Sequence, residues 1–246
     1  MYLLYALIMI VFHPAFIYPF GDEPFENSRF ETVILADTQA SLRVSNPSQD
    51  GTAVMYFMGN GGSLAYFGAH LSVHIDAGRQ VLALDYPSGG GIPGQVSEAR
   101  LKAQALDAYD WLSAFHGGPI IVHGYSLGTG LALHVAANRA VDGVILDAPY
   151  ARMCELMTRA SWLPACYLPG VQRWNSLGYA DQIDAPVLVL QGTEDDLIPI
   201  SGGLRLVVHL ENAGQNVQFG ILPGANHHNT ALNPHYAAHI NDFLSK

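Results

Sequence analysis

Gly124-Tyr125-Ser126-Leu127-Gly128 decides the fold of this 246-residue chain. It lies between the apolar run Pro119-Ile120-Ile121-Val122-His123 and a helical-looking run that begins near Leu127. A G-x-S-x-G pattern with a strand before it and a helix after it is the setting of a nucleophile elbow. The turn is sharp, so side chains are excluded two residues either side of the serine, where strand and helix backbones approach. Ser126 is the first candidate for chemistry.

Outward from the elbow, the chain alternates short apolar runs with amphipathic ones. Strands are expected at Ala53 to Phe57, Gln80 to Leu84, Ile120 to His123, Gly143 to Asp147, Pro186 to Leu190 and Val217 to Leu222. Helices are expected near 63–77, 97–115, 127–138, 202–211 and 234–244. Such alternation predicts a mostly parallel sheet with helices on both faces. Two runs before it, Thr32 to Leu35 and Ser41 to Val44, suggest an antiparallel start, followed by a turn at Asn46 to Gly51. Residues 148–183 carry no strand of comparable strength. Their aromatics, interleaved with Pro149, Pro164 and Pro169, suggest a short insertion.

A serine hydroxyl is a weak nucleophile at neutral pH and needs a base oriented by a carboxylate. Two loops at strand ends supply both. The run Pro186 to Leu190 leads into Gln191-Gly192-Thr193-Glu194-Asp195-Asp196-Leu197-Ile198-Pro199, with three carboxylates. The run Val217 to Leu222 leads into Pro223-Gly224-Ala225-Asn226-His227-His228-Asn229, with two histidines. With these motifs the chain resembles the serine hydrolases of the α/β-hydrolase superfamily, in their esterase and thioesterase-like branch. The resemblance extends from about Thr32 to Phe243. Its G-T-x-D-x-x-[IV]-P and G-A-x-H patterns place the acid on Asp195 and the histidine on His227, leaving Ser126 as nucleophile. Asp196, then Glu194, and His228 are the neighbouring rivals.

The resemblance also implies an oxyanion hole made of two backbone N–H groups. One belongs to Leu127, next after the nucleophile. The other falls in Met58-Gly59-Asn60-Gly61-Gly62, on Asn60 with Gly61 in reserve. Relatives carry histidine where this chain has Met58, which puts the rigidity of that loop in question. Asp85-Tyr86-Pro87 similarly resembles a family loop but holds proline in place of its arginine. Trp162, Leu163, Tyr167, Leu168 and Trp174, in the place of a lid, suggest an apolar wall for an acyl group.

Residues 1–20 form an almost wholly apolar segment interrupted by His13, Pro14 and Pro19, ahead of a domain spanning 21–246. A spanning helix wants about 20 apolar residues, and Pro14 is expected to kink or end this one. The segment is read as a membrane anchor or uncleaved signal-like stretch, otherwise as an apolar or interfacial helix packed on the domain. The first reading implies membrane association and the second a cytoplasmic protein. Cys154 and Cys166 lack metal-ligand spacing, and they can pair only in an oxidising compartment.

A net charge of −10, with 11 Lys plus Arg, leaves no basic footprint for nucleic acid. The histidines form no metal motif; His70 and His74 are four apart without the intervening glutamate of H-E-x-x-H. No cofactor is called for. The expected function is hydrolysis of small-molecule or lipid esters or thioesters through an acyl-enzyme on Ser126, with a membrane surface as a further partner under the anchor reading. The same triad serves peptidases, amidases and haloperoxidases. A non-catalytic binding protein on the same fold is the alternative from another class.

Overall fold

The computed structural model describes residues 2–47 and 51–245, with side chains from residue 4 onward. Eight strands form one sheet: β1 (Phe30–Ile34), β2 (Ser41–Ser45), β3 (Ala53–Phe57), β4 (Gln80–Leu84), β5 (Ile120–Tyr125), β6 (Gly143–Asp147), β7 (Val187–Gly192) and β8 (Val217–Leu222). Their order across the sheet is β1-β2-β4-β3-β5-β6-β7-β8. β1 and β2 pair antiparallel, β2 meets β4 antiparallel, and every pairing from β4 through β8 is parallel. This is the α/β-hydrolase fold expected from the alternation of runs. The turn expected at Asn46 to Gly51 falls partly outside the described residues.

Burial follows from the parallel pairing. β3, β5, β6 and β7 are buried along their whole length, as strands covered on both faces must be. Successive side chains point to opposite faces. Val54, Ile121, Ile145, Leu188 and Leu190 pack on one side with Tyr236, Ile240 and Phe243 of α7 (Tyr236–Leu244). Met55, Val122, Val144 and Val189 pack on the other with Leu101 of α3 (Glu98–Ser113), Leu131 of α4 (Leu127–Ala136) and Leu206 of α6 (Ile200–Asn212). The start of α3 is set by Ser97, whose hydroxyl accepts from the Arg100 N–H at 3.2 Å. α2 (Gly68–Ile75) crosses from β3 to β4.

The insertion is helical at its start, with α5 (Met153–Ser161), and continues as 3₁₀ turns at Ala165–Tyr167 and Ser176–Gln182. Cys154 and Cys166 are joined by a disulfide, which ties α5 to the first of those turns.

The N-terminal segment is helical. α1 (Tyr2–Ile17) continues through Pro14, so of the kink or end expected there the end does not occur. Proline has no N–H to give the carbonyl of residue 10. That carbonyl is satisfied instead by His13, whose Nδ1 lies 2.8 Å from Ile10 O, while its Nε2 accepts from the Gln172 N–H at 3.1 Å. One tautomer, with the proton on Nδ1, makes both bonds. Among the described residues no helix is long and apolar enough to cross a membrane. Sixteen residues rise about 24 Å against a hydrocarbon core of ~30 Å. α1 instead docks on the domain. Tyr5 donates to Ser161 O at 3.1 Å, and Tyr18 hydrogen-bonds Gln172 while accepting from the Trp174 indole N–H at 3.0 Å.

Candidate active site

Ser126 stands between the end of β5 and the first turn of α4, at φ +50° and ψ −116°. A non-glycine residue there costs roughly 1–3 kcal/mol, held by its surroundings. The Ser126 N–H donates to Asp147 O at 2.8 Å, fixing the turn to the end of β6. The flanking glycines are required by contact. A Cβ on Gly128 would come within 2.0 Å of Phe57 O, and one on Gly124 within 2.3 Å of Gly128 O.

Three loops at the carboxyl edge of the sheet bring the sequence-derived residues together. Ser126 Oγ lies 2.9 Å from His227 Nε2, and His227 Nδ1 lies 2.8 Å from Asp195 Oδ2. All three are buried, whereas the rivals Glu194, Asp196 and His228 are exposed. Asp195 is held at four points. Its Oδ1 accepts from the N–H groups of Leu197 at 3.1 Å and Ile198 at 2.8 Å, and its Oδ2 accepts from Gln191 Nε2 at 3.1 Å as well as from His227. Gln191 is itself fixed by donating to Ile198 O at 3.0 Å. The imidazole is held from behind by Tyr125, whose hydroxyl donates to His227 O and whose ring lies 5.5 Å from the imidazole centroid. Burial raises the Tyr125 hydroxyl well above the ordinary tyrosine range, helped by the charges of Asp147 and Asp195, so it stays a donor.

Asn60 and Leu127 line the same hollow as Ser126. Leu127 opens α4, where first-turn N–H groups have no acceptor within the helix. The Asn60 loop comes close to the serine, since a Cβ on Gly59 would stand 3.4 Å from Ser126 Cβ. Its rigidity, in question because Met58 replaces the relatives' histidine, comes from another quarter. Tyr86 is fully buried and donates to Met58 O at 2.8 Å.

The aromatics of the insertion do not form the wall expected of them. Trp162 and Tyr167 are 91% and 86% exposed, while Leu163 and Trp174 are buried in packing. The hollow is lined instead by Met153 and Leu156 of α5, Leu197 and Ile198 after β7, and Phe16 and Ile17 of α1. Sequence reading missed all six. Leu197 and Ile198 carried a signal, being apolar residues set directly after three carboxylates. A wider hollow of about 360 Å³ by Arg139 and Asp184 contains none of Ser126, Asp195 and His227.

Known proteins agree with this architecture. The esterase Pf2001 of Pyrococcus furiosus superposes with a TM-score of 0.74 at 18% identity, over 92% of this chain and 95% of that one, a likeness of fold. Uncharacterized protein Rv2307c of Mycobacterium tuberculosis is 30% identical over 210 residues, covering 81% of this chain and 73% of the relative. Lysophosphatidylserine lipase ABHD12 of Danio rerio is 27% identical over 191 residues, covering 68% of this chain and 48% of its own length. A model of the prolyl oligopeptidase family matches residues 105–246, which include Ser126, Asp195 and His227. With more than half of its length inside that match and the fold to go with it, the chain belongs to the prolyl oligopeptidase family of α/β-hydrolases.

Proposed function

We propose that this chain is a serine hydrolase that cleaves carboxylic esters or thioesters through an acyl-enzyme on Ser126. The observation that carries the reading is the buried line of contacts from Ser126 Oγ through His227 to Asp195. His227 Nε2 takes the hydroxyl proton as Oγ bonds to the carbonyl carbon, and Asp195 stabilises the imidazolium that forms. Negative charge on the carbonyl oxygen meets the N–H groups of Leu127 and Asn60. The bond to the leaving oxygen or sulfur then breaks, and His227 returns the proton to it. Water repeats the sequence: its proton goes to His227, its oxygen bonds to the acyl carbon, and the acid leaves as Ser126 recovers its proton. No cofactor enters these steps.

Ester substrates, small or lipid, are favoured over peptides by the apolar lining of the hollow and by the lipase among the relatives. The family description keeps peptidase and amidase chemistry as the second reading, since the same triad performs it.

A fluorophosphonate probe tests the reading. Ser126 is expected to label within minutes, and Ser126→Ala to abolish labelling and lower ester turnover on the order of 10⁶-fold. A folded protein whose Ser126 stays unmodified is a binding protein and not this enzyme.

A further inference from the structure

The hollow beside Ser126 is small, about 140 Å³. Three separate stretches build its walls: Phe16 and Ile17 at the end of α1, Met153 and Leu156 on α5, and Leu197 and Ile198 after β7. Its lining residues carry no charge, and its polar groups cluster at one end, at Ser126 and Asn60. Such a space has nothing to offer a phosphate or an ammonium group. It suits a hydrocarbon group whose carbonyl sits at the polar end.

Of the two halves of an ester, the acyl half needs such a place. The alcohol departs after the first step, while the acyl group stays bonded to Ser126 Oγ until water releases it. Volume sets how long that group can be. An apolar cavity of about 150 Å³ accommodates one benzene ring, six carbons.

The wall from α1 is fixed in place. Its last turn is closed by the Tyr18 N–H donating to Pro14 O at 2.7 Å. His13 and Tyr18 hold it against Gln172 and Trp174 on the far side of the insertion. Ile17 is 1% exposed and Phe16 42%, so Ile17 is packed into the wall and Phe16 stands at its rim. Both line the hollow that holds Ser126, so they bound the space open to an acyl chain on the serine.

We infer that α1 is a wall of an acyl pocket that encloses apolar acyl groups of up to about six carbons and favours them over longer ones; this rests on Ser126 being the nucleophile. The segment that looked like an addition to the domain is then a specificity element. Phe16 and Leu156 set the length limit. Leu197 and Ile198 do double duty, because their N–H groups also hold Asp195.

The test is a series of p-nitrophenyl esters from two to twelve carbons, run on the full chain, with fluorophosphonate labelling in parallel. The expected kcat/KM is highest at about four to six carbons and at least about tenfold lower at ten, the scale on which a pocket discriminates added methylenes. Phe16→Ala moves the optimum to longer chains, and Leu156→Trp moves it in the opposite direction, toward acetyl. Opposite shifts cannot come from general loss of structure. A parent profile that is flat or rises through twelve carbons overturns the pocket while the labelled serine leaves the hydrolase reading standing. So do optima that stay with the parent in both variants. Absence of turnover together with an unlabelled Ser126 overturns both.

Discussion

Three carboxylates occupy consecutive positions at 194–196, yet one of them faces the imidazole. Asp195 is buried with four donors on its two oxygens, and its neighbours project into solvent. Replacing Asp195 by asparagine removes the charge and presents a donor where His227 Nδ1–H needs an acceptor. The imidazole then favours the wrong tautomer, and kcat should fall about 10⁴-fold, as in other triads. Asp196→Asn, on an exposed side chain, should stay within about threefold of the parent, in line with a surface change. Steady-state kinetics on both variants decides it; the larger loss in Asp196→Asn would move the acid by one residue. The loop was legible in the sequence because a carboxylate at a strand end, ahead of a histidine at the next, is a recognisable order. The choice within the loop came from a family pattern, and its physical cause lies in groups with no sequence signature. Gln191 is such a group: it looks like an ordinary strand-end polar residue but is buried and aimed at Asp195.

At the scale of elements, the central strands and their helices were legible because burial on both faces leaves long apolar runs separated by turn residues. The packing of α1 and of the insertion with α5, which together cap the hollow, was not. Pro14 marks a kink or an end of α1 in the sequence, and the donor that serves the carbonyl it leaves free is the neighbouring His13 side chain. The place of α1 beside Ser126 depends on residues more than 150 positions away, which local periodicity cannot report. The insertion shows the same limit: its bulky side chains suggest a pocket wall or core packing equally well, while the smaller Met153 and Leu156 line the hollow. These two sit on α5, which the Cys154–Cys166 disulfide fastens across 12 residues of sequence. Closing a loop of that size is worth roughly 3 kcal/mol in a chain-entropy treatment. Reduction by a dithiol should therefore cost about 2–3 kcal/mol, concentrated in the cap. Hydrogen exchange read by mass spectrometry should show residues 153–167 exchanging faster on reduction while the strands of the central sheet keep their protection. Equal acceleration in β5 and β6 would mean that the bridge supports the whole fold and not the cap alone.

Distant parts of the molecule meet in a buried polar chain beneath the elbow, which no local pattern in the sequence announces. His74 Nε2 lies 2.8 Å from His123 Nδ1, and His123 Nε2 lies 3.3 Å from the Tyr236 hydroxyl. Tyr236 donates to Asp147 Oδ2 at 3.0 Å, which also accepts from Thr230 at 2.8 Å and lies 3.3 Å from His70 Nε2. These contacts join α2, β5, β6 and α7 to Thr230, three residues past His227. Donor counting gives them one direction. With the Tyr236 proton on Asp147, His123 must donate through Nε2 and accept at Nδ1, so His123 is neutral and His74 is its donor through Nε2. Burial agrees. It pushes His74 down to about 3, aided by the charges of Arg79 and His70, and holds His123 well below the ordinary histidine range, aided by His74 and His70.

The sign of the consequence follows from proton counts. Below about pH 6.5 the unfolded chain binds a proton at each of these histidines, and the folded chain does not until far lower pH. Stability is therefore fully present above pH 6.5 and is lost as pH falls toward the folded values, at about 1.4 kcal/mol per pH unit for each histidine. Carboxylates that titrate in the same window add their own slope, so the informative quantity is a difference between variants. His74→Gln keeps an N–H donor for His123 Nδ1 but has no proton to gain. Urea unfolding at pH 5.5 and 4.5 should show its stability falling more slowly than the parent's by about 1.4 kcal/mol over that unit, whatever its stability at pH 7. Equal slopes in the two proteins would mean that His74 takes up its proton in the folded state as readily as in the unfolded one, and that this chain does not require it neutral.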